Sequence, residues 1–204
     1  LGTDAIMVGG STDVTQENLD ATAKAIKEVV EVPVIYFPSG AHAISQHCDA
    51  IYFMSMLNSR NLTMVIREQV AAGPIVKMLG IEPISMGYII VEPGMKVGEV
   101  GEADVVKRDD HKTAVAYALA AEFLGMNIVY LEAGSGAPEP VPPAMVGAVR
   151  SQVSVPILVG GGIRSPEAAL AAKKAGANAI ITGTLVEGED YSTCLGEVIA
   201  VIKG

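Results

Sequence analysis

The chain has 204 residues, half of them hydrophobic, and a formal net charge of −9. This length suits one domain with a large core, and the negative charge argues against a nucleic-acid partner. Pro, Gly or charged residues interrupt every apolar run before it reaches the roughly 20 residues of a membrane span. Cys48 and Cys194 are isolated, so we interpret them as reduced thiols of a cytoplasmic protein.

Short apolar runs alternate with longer amphipathic runs along the whole chain. The apolar runs predict strands at residues 4–9, 32–37, 50–56, 84–91, 127–132, 155–160 and 179–183. The amphipathic runs predict helices at about residues 16–30, 61–79, 111–124, 142–152, 166–174 and 190–202. This alternation indicates an α/β fold with a parallel sheet, either a barrel or an open doubly wound sheet.

Two internal similarities favour a (β/α)8 TIM barrel. Residues 2–9 resemble 176–183, and residues 32–35 resemble 155–158. The second copy of the first pair follows a helix, so the sequence is expected to begin at the tail of one. Seven strands are expected where a closed barrel has eight. We therefore predict a single TIM-barrel domain over residues 1–204, made of strands 2 to 8 with their helices and lacking the first βα unit. The alternative is a natural seven-stranded sheet.

Three loops rich in small residues follow the last three predicted strands. They are Gly134-Ser135-Gly136, Gly160-Gly161-Gly162 and Gly183-Thr184. Glycine lets the backbone approach a ligand closely, and free N–H groups near a helix N-terminus attract phosphate. The loops after the last two strands of a TIM barrel often form a phosphate site. The sequence therefore predicts a phosphorylated substrate.

Glu132 is the strongest candidate for chemistry, because it lies in an apolar strand just before a glycine loop. A carboxylate in this position is a general base or a ligand for substrate hydroxyls, or else it is paired with Arg or Lys inside the barrel. Ser11, after Gly9 and Gly10, offers a hydroxyl or belongs to a plain turn. Asp109-Asp110 is interpreted as a helix cap. Any metal is expected to be a hard cation such as Mg²⁺, held by oxygens and by substrate phosphates.

Together, these strand-end motifs resemble the geranylgeranylglyceryl phosphate synthase family, archaeal prenyltransferases related to the bacterial heptaprenylglyceryl phosphate synthases. Residues 2–11, 53–60, 87–94, 130–136 and 160–164 carry the resemblance, which covers essentially the whole chain. The Tyr-Leu-Glu-Ala-Gly-Ser-Gly form of residues 130–136 resembles the archaeal branch.

The resemblance implies that the 3-hydroxyl of sn-glycerol 1-phosphate attacks C1 of geranylgeranyl diphosphate, with Mg²⁺ assisting the departure of diphosphate. The ether product serves archaeal membrane lipid biosynthesis. The resemblance makes Glu132 the base and places Ser11 at the Mg²⁺ position. The resemblance also implies a set of residues that bind glycerol phosphate: Tyr130, Leu131, Glu132, Ala133, Gly134, Ser135, Gly136, Gly161, Gly162, Gly183 and Thr184. A Lys and an Asp that the family carries in strand 1 are absent from this sequence.

Some expectations stay open at this point. An apolar groove for the prenyl chain, or else plain core, is predicted from Tyr52, Met54, Met56, Met86 and Tyr88. A homo-oligomer and transient membrane contact are expected. The alternative functions are another phosphate-binding barrel enzyme, such as a phosphoribosyl isomerase or an indole-glycerol-phosphate-type lyase, and a non-catalytic polyprenyl phosphate binder.

Overall fold

The structure is a computed structural model that describes residues 1–10, 12–188 and 190–204. Its strands are β1 Ile6–Gly9, β2 Val34–Phe37, β3 Ala50–Met56, β4 Glu82–Ile90, β5 Ile128–Glu132, β6 Ile157–Gly160 and β7 Ala179–Ile181. Its α-helices are α1 Gln16–Lys27, α2 Glu68–Leu79, α3 Met95–Val100, α4 His111–Phe123, α5 Pro143–Arg150, α6 Pro166–Ala175 and α7 Tyr191–Lys203. All seven predicted strands are confirmed.

The helix starts follow local capping chemistry. Thr15 caps α1 in a capping box in which Thr15 and Asn18 bond reciprocally through side chain and backbone. Ser165 caps α6, with Pro166 in the first turn. The Asp110 side chain accepts a hydrogen bond from the Thr113 N–H at 3.1 Å and caps α4. The interpretation of Asp109-Asp110 as a helix cap is therefore confirmed, with Asp110 as the capping residue.

Three short elements differ from the predictions. The predicted helix over 61–79 begins with a π-helical turn, Thr63–Arg67, and only then continues as α2. The sequence pattern did not predict α3, because this helix has only six residues, with an internal glycine and no apolar period. The pattern also missed a 3-10 turn over Thr184–Glu187, so β7 ends before Gly183. Turns this short carry too few residues for a periodic signal.

One compact unit comprises residues 2–55 and 62–85. Within it β1, β2 and β3 pair in parallel, with Tyr36 opposite Val8 on one side and Ile51 on the other. Its buried core includes Leu19 of α1 and Val76 of α2. Alternate strand residues thus pack beneath the helices, as βα units require.

The other compact unit comprises residues 1, 56–61 and 86–204. Strands β4 to β7 pair in parallel within it, with β4 contributing from Met86 onward. Its core is built from fully buried strand and helix residues such as Leu131, Val159 and Met145. The assignment of residues 1–204 to a single domain stays a prediction. None of the helices in the described residues is long and apolar enough to cross a membrane.

Candidate functional site

The register of four strands sets the candidate site. Ile90 of β4 pairs with Glu132 of β5, Glu132 pairs with Gly160 of β6, and Gly160 pairs with Ile181 of β7. Neighbouring parallel strands therefore end at the same level. Because chain segments leave this edge together, the three glycine loops predicted from the sequence emerge side by side.

The three loops contact each other. A side-chain carbon on Gly161 would lie 2.6 Å from the Gly134 nitrogen, so the two glycine backbones approach at a distance that excludes any larger residue. The Ser135 and Thr184 hydroxyl oxygens are 3.4 Å apart. Arg164 donates from Nη2 to the Gly136 carbonyl at 2.9 Å and braces the first loop against the second. The structure therefore brings all three loops together.

The loops leave backbone donors available for an anion. Among the described residues, no acceptor is bonded to the N–H of Gly136, Gly161 or Gly162. Gly136, Gly161 and Gly162 have positive φ, which turns consecutive N–H groups toward a common side. Such a nest of donors, next to the 3-10 turn that follows Gly183, is the usual environment of a bound phosphate.

Glu132 lies at the floor of these loops and is only 7 % exposed. Its Oε1 accepts a hydrogen bond from the Gly134 N–H at 2.6 Å. The Tyr130 and Tyr88 side chains also hydrogen-bond to this carboxylate. No ion pair in the described residues includes Glu132. The interpretation of Glu132 as half of an interior ion pair is therefore wrong for this part of the chain.

Burial raises the pKa of Glu132 above its usual 4.5, and the three hydrogen bonds only partly offset that rise. The pKa of Tyr88 is raised well above 10.0, first by burial and then by the neighbouring carboxylate. Tyr88 therefore stays protonated and acts as a hydrogen-bond donor. A carboxylate with a raised pKa accepts protons more readily, as a general base does.

Two tyrosines stand beside the carboxylate. Tyr88 and Tyr130 face each other across β4 and β5, with ring centroids 5.1 Å apart and ring planes inclined at 58°. They are 3 % and 2 % exposed. The Tyr130 ring lies across Gly160, where an added side-chain carbon would overlap the Tyr130 hydroxyl and approach two ring carbons to 2.9 Å. Gly160 thus leaves the space that the ring occupies.

The predicted substrate-binding residues 130–133 point alternately to the two faces of the sheet. Leu131 and Ala133 belong to the buried hydrophobic cluster, whereas Tyr130 and Glu132 do not. Consecutive strand residues point to opposite faces. Leu131 and Ala133 can thus offer only backbone to a ligand, and both backbone groups of Ala133 are bonded to Gly160 and Gly94.

Ser11, the predicted metal position, lies outside the described residues. Within residues 1–10, 12–188 and 190–204, no group of three His, Cys, Asp or Glu side chains could hold a metal ion. The role of Ser11 stays a prediction.

The other unit contains an apolar cavity of its own. Its lining residues are Pro38, Ser39, Gly40, Ala41, Ile44, Ile51, Tyr52, Phe53, Met54, Met64, Glu68, Gln69 and Ala72. Tyr52 and Met54, two of the five predicted groove residues, line this cavity. Met56 and Met86 are buried, at 2 % and 0 % exposure. Tyr88 lies instead beside Glu132.

Sequence reasoning missed two contributors to the site. Tyr88 was assigned to a groove or to the core, because only the strand register reveals that it faces Tyr130. The sequence predicts no role for Arg164, although it follows the second loop by two residues. Its position just before the capped helix α6 was a usable signal, since loop residues there are placed at the strand-end edge.

Comparisons with known proteins bear on this geometry. A model described as the PcrB family matches residues 1–202. The geranylgeranylglyceryl phosphate synthase of Thermococcus kodakarensis is 55 % identical over 187 residues, 92 % of this chain and 74 % of that protein. That of Thermoplasma volcanium is 45 % identical over 203 residues, 99 % of this chain and 81 % of that protein.

A solved structure is also closely similar. It is the (S)-3-O-geranylgeranylglyceryl phosphate synthase of Thermoplasma acidophilum in complex with its substrate sn-glycerol-1-phosphate. The TM-score is 0.96 at 46 % identity, covering 99 % of this chain and 82 % of that chain. Together with the parallel βα units, this likeness confirms the predicted α/β fold class of TIM-barrel type.

Proposed function

Because the chain belongs to the PcrB family, we propose that it is a prenyltransferase that joins sn-glycerol 1-phosphate to geranylgeranyl diphosphate. The observation that carries this proposal is the buried carboxylate of Glu132 beneath three converging glycine loops. An anion site next to a base suits a substrate that carries both a phosphate and a reacting hydroxyl. The relatives that bear this activity by name share about half of their aligned residues with the chain.

The glycine loops bind the phosphate in this scheme. The N–H groups of Gly136, Gly161 and Gly162 donate to its oxygens, with the hydroxyls of Ser135 and Thr184 at the rim. Binding one end of a small substrate fixes where its other end can lie. The phosphate therefore serves to position the 3-hydroxyl against Glu132.

Glu132 then takes the hydroxyl proton. The glycerol oxygen forms a bond to C1 of the prenyl group while the bond from C1 to the diphosphate oxygen breaks. The proton moves to the Glu132 carboxylate, and the bonding electrons leave with diphosphate. The hydrogen bonds from Gly134, Tyr130 and Tyr88 hold the carboxylate in place for this transfer.

The apolar cavity of the other unit has a lining suited to a hydrocarbon chain. Its walls are aliphatic and aromatic, with Met54 and Met64 among them, and methionine adapts readily to a flexible ligand. Tyr52 contributes a buried ring that packs edge-on against Phe37, with the two ring centroids 5.8 Å apart. An apolar wall with few polar groups suits a hydrocarbon chain.

Dependence on Mg²⁺ is proposed from the family resemblance alone. Within the described residues, no three His, Cys, Asp or Glu side chains are grouped so that they could hold a metal ion, and Ser11 lies outside these residues. The test is direct: product formation should stop after chelation and return when Mg²⁺ is restored. Formation of product at an undiminished rate in excess chelator would refute the requirement.

The deciding experiment is a prenyl-transfer assay with sn-glycerol 1-phosphate, Mg²⁺ and prenyl diphosphates of increasing length. Glu132→Gln should retain glycerol phosphate affinity, measured by calorimetry, and lose roughly 10²- to 10⁴-fold in kcat. Glu197→Gln, an exposed exchange on α7, is the matched control and should be fully active. A wild-type protein that binds both substrates without forming an ether would instead be a binder.

Several of the expected properties remain proposals. Geranylgeranyl diphosphate as the preferred donor is tested by the chain-length series just described. A homo-oligomer and a cytoplasmic location are predicted from composition and resemblance. Light scattering of the purified chain measures the first, and cell fractionation the second.

A further inference from the structure

The π turn and α2, together with Leu62 just before them, present an outer face of exposed apolar and basic side chains. Its apolar members Leu62, Ile66, Val70 and Met78 are 51 %, 48 %, 69 % and 76 % exposed. Its charged members are the exposed cations Arg67 and Lys77. These six residues are called the outer face below. No exposed acid lies among residues 62–79, although the chain carries a net charge of −9.

The inner face of the same helix lines the apolar cavity. Met64, Glu68 and Ala72, spaced four residues apart, contribute to its wall. Glu68 is the only acid of the helix, and its carboxylate accepts the Ala41 N–H at 2.6 Å inside the unit. The helix therefore separates an apolar cavity on one side from an apolar and purely cationic surface on the other.

From this arrangement we infer that the outer face rests on an anionic lipid surface. Apolar side chains flanked by Lys and Arg are the pattern of helices that lie in the membrane interface. Arg67 and Lys77 have long aliphatic stems that can lie along lipid while their charged ends reach headgroup phosphates. The inference rests on the proposed function, because a polyprenyl substrate is what the cavity behind this helix would draw from a bilayer.

Charge complementarity favours a lipid surface over a second copy of the chain. A two-fold contact through the outer face would place the same two cations of both copies in one interface, with no exposed acid on either face to pair with them. Anionic headgroups supply the missing negative charge. The exposed apolar side chains then enter the acyl boundary instead of water.

The test is co-sedimentation of the full chain with phosphatidylcholine vesicles, with or without roughly one-third phosphatidylglycerol. Binding should require the anionic lipid and weaken with salt. Arg67→Gln with Lys77→Gln should lower the partition coefficient by about fivefold per charge. Ile66→Ser with Val70→Ser should lower it at least as far.

Matched controls come from the same unit but a different surface. Lys24 and Val29 are exposed on and just after α1, and Val29 is 81 % exposed. Lys24→Gln with Val29→Ser removes one cation and one apolar side chain and should leave vesicle binding unchanged. An equal loss of vesicle binding in the control and the outer-face variants would overturn the inference, because binding would then depend on overall charge and nonspecific hydrophobic contact.

Two further measurements separate the possible failures. If the outer-face variants bind vesicles like wild type but dissociate an oligomer by light scattering, the face is a copy-to-copy interface and the inference is wrong. Prenyl transfer from a short, water-soluble prenyl diphosphate to sn-glycerol 1-phosphate, measured without vesicles, should be equally fast in wild type and outer-face variants. Absence of prenyl transfer in wild type would refute the proposed function. Vesicle binding is measured without any reaction, so it tests the outer face separately.

Discussion

Substituting Gly160 with alanine should disturb the site through one identifiable contact. Gly160 lies at the end of β6 and is not among the residues with positive φ, so an alanine there meets no backbone penalty. The added carbon would instead overlap the Tyr130 hydroxyl and come within 2.9 Å of two ring carbons. Forcing a methyl group into packed surroundings costs about 2 kcal/mol of unfolding free energy.

The same geometry predicts how a second change should compensate. Tyr130→Phe alone loses a hydrogen bond to Glu132 and should cost about 1 kcal/mol. In the double variant the Tyr130 hydroxyl, which is the most crowded atom, is gone, while the two ring carbons remain. The loss in unfolding free energy is therefore expected to be about 2 kcal/mol, instead of the roughly 3 kcal/mol given by the sum of the single variants.

Urea unfolding of the four proteins measures this coupling, with Gly147→Ala as the matched control. Gly147 lies in α5, and its nearest heavy atom is 3.8 Å from an added carbon, so alanine there should be neutral or stabilising. The reasoning is refuted if the two exchanges add within about 0.5 kcal/mol, because independent sites behave in that way.

Three further outcomes follow from the same site. Tyr88→Phe removes a hydrogen bond that lowers the pKa of Glu132, so the acid limb of the kcat/KM profile should move to higher pH; an unmoved limb would separate Tyr88 from the base. The pKa of Glu132 is raised in the folded protein, so ionising this side chain lowers the free energy of unfolding as the pH rises above 4.5, its usual pKa. Thermal melts should therefore show the melting temperature of Glu132→Gln rising relative to that of wild type between acid and neutral pH. Gly161→Ala, at φ +78, should weaken glycerol phosphate binding by at least tenfold in calorimetry, and wild-type affinity would remove Gly161 from the phosphate site.

The strands were predictable because each is a nearly continuous apolar run bounded by Gly, Pro or charges. β5 shows this clearly, since Ile128 to Leu131 are apolar and Glu132 ends the strand. The convergence of the glycine loops was predictable in the same way, from the rule that parallel strands end at one edge. The contact of Tyr88 with Tyr130 was not, because it depends on the register between β4 and β5, which a single sequence does not specify.

Glu132 illustrates why sequence alone left two interpretations open. The carboxylate of a glutamate inside an apolar strand needs hydrogen-bond or ion-pair partners, and an Arg or Lys partner would lower its pKa and keep it ionised. Here the partners are neutral hydrogen-bond donors, the Gly134 N–H and two tyrosine side chains. Neutral donors hold the carboxylate in position without cancelling the cost of its burial, so its pKa stays raised. That combination of fixed geometry and retained basicity is what proton abstraction from a bound hydroxyl needs.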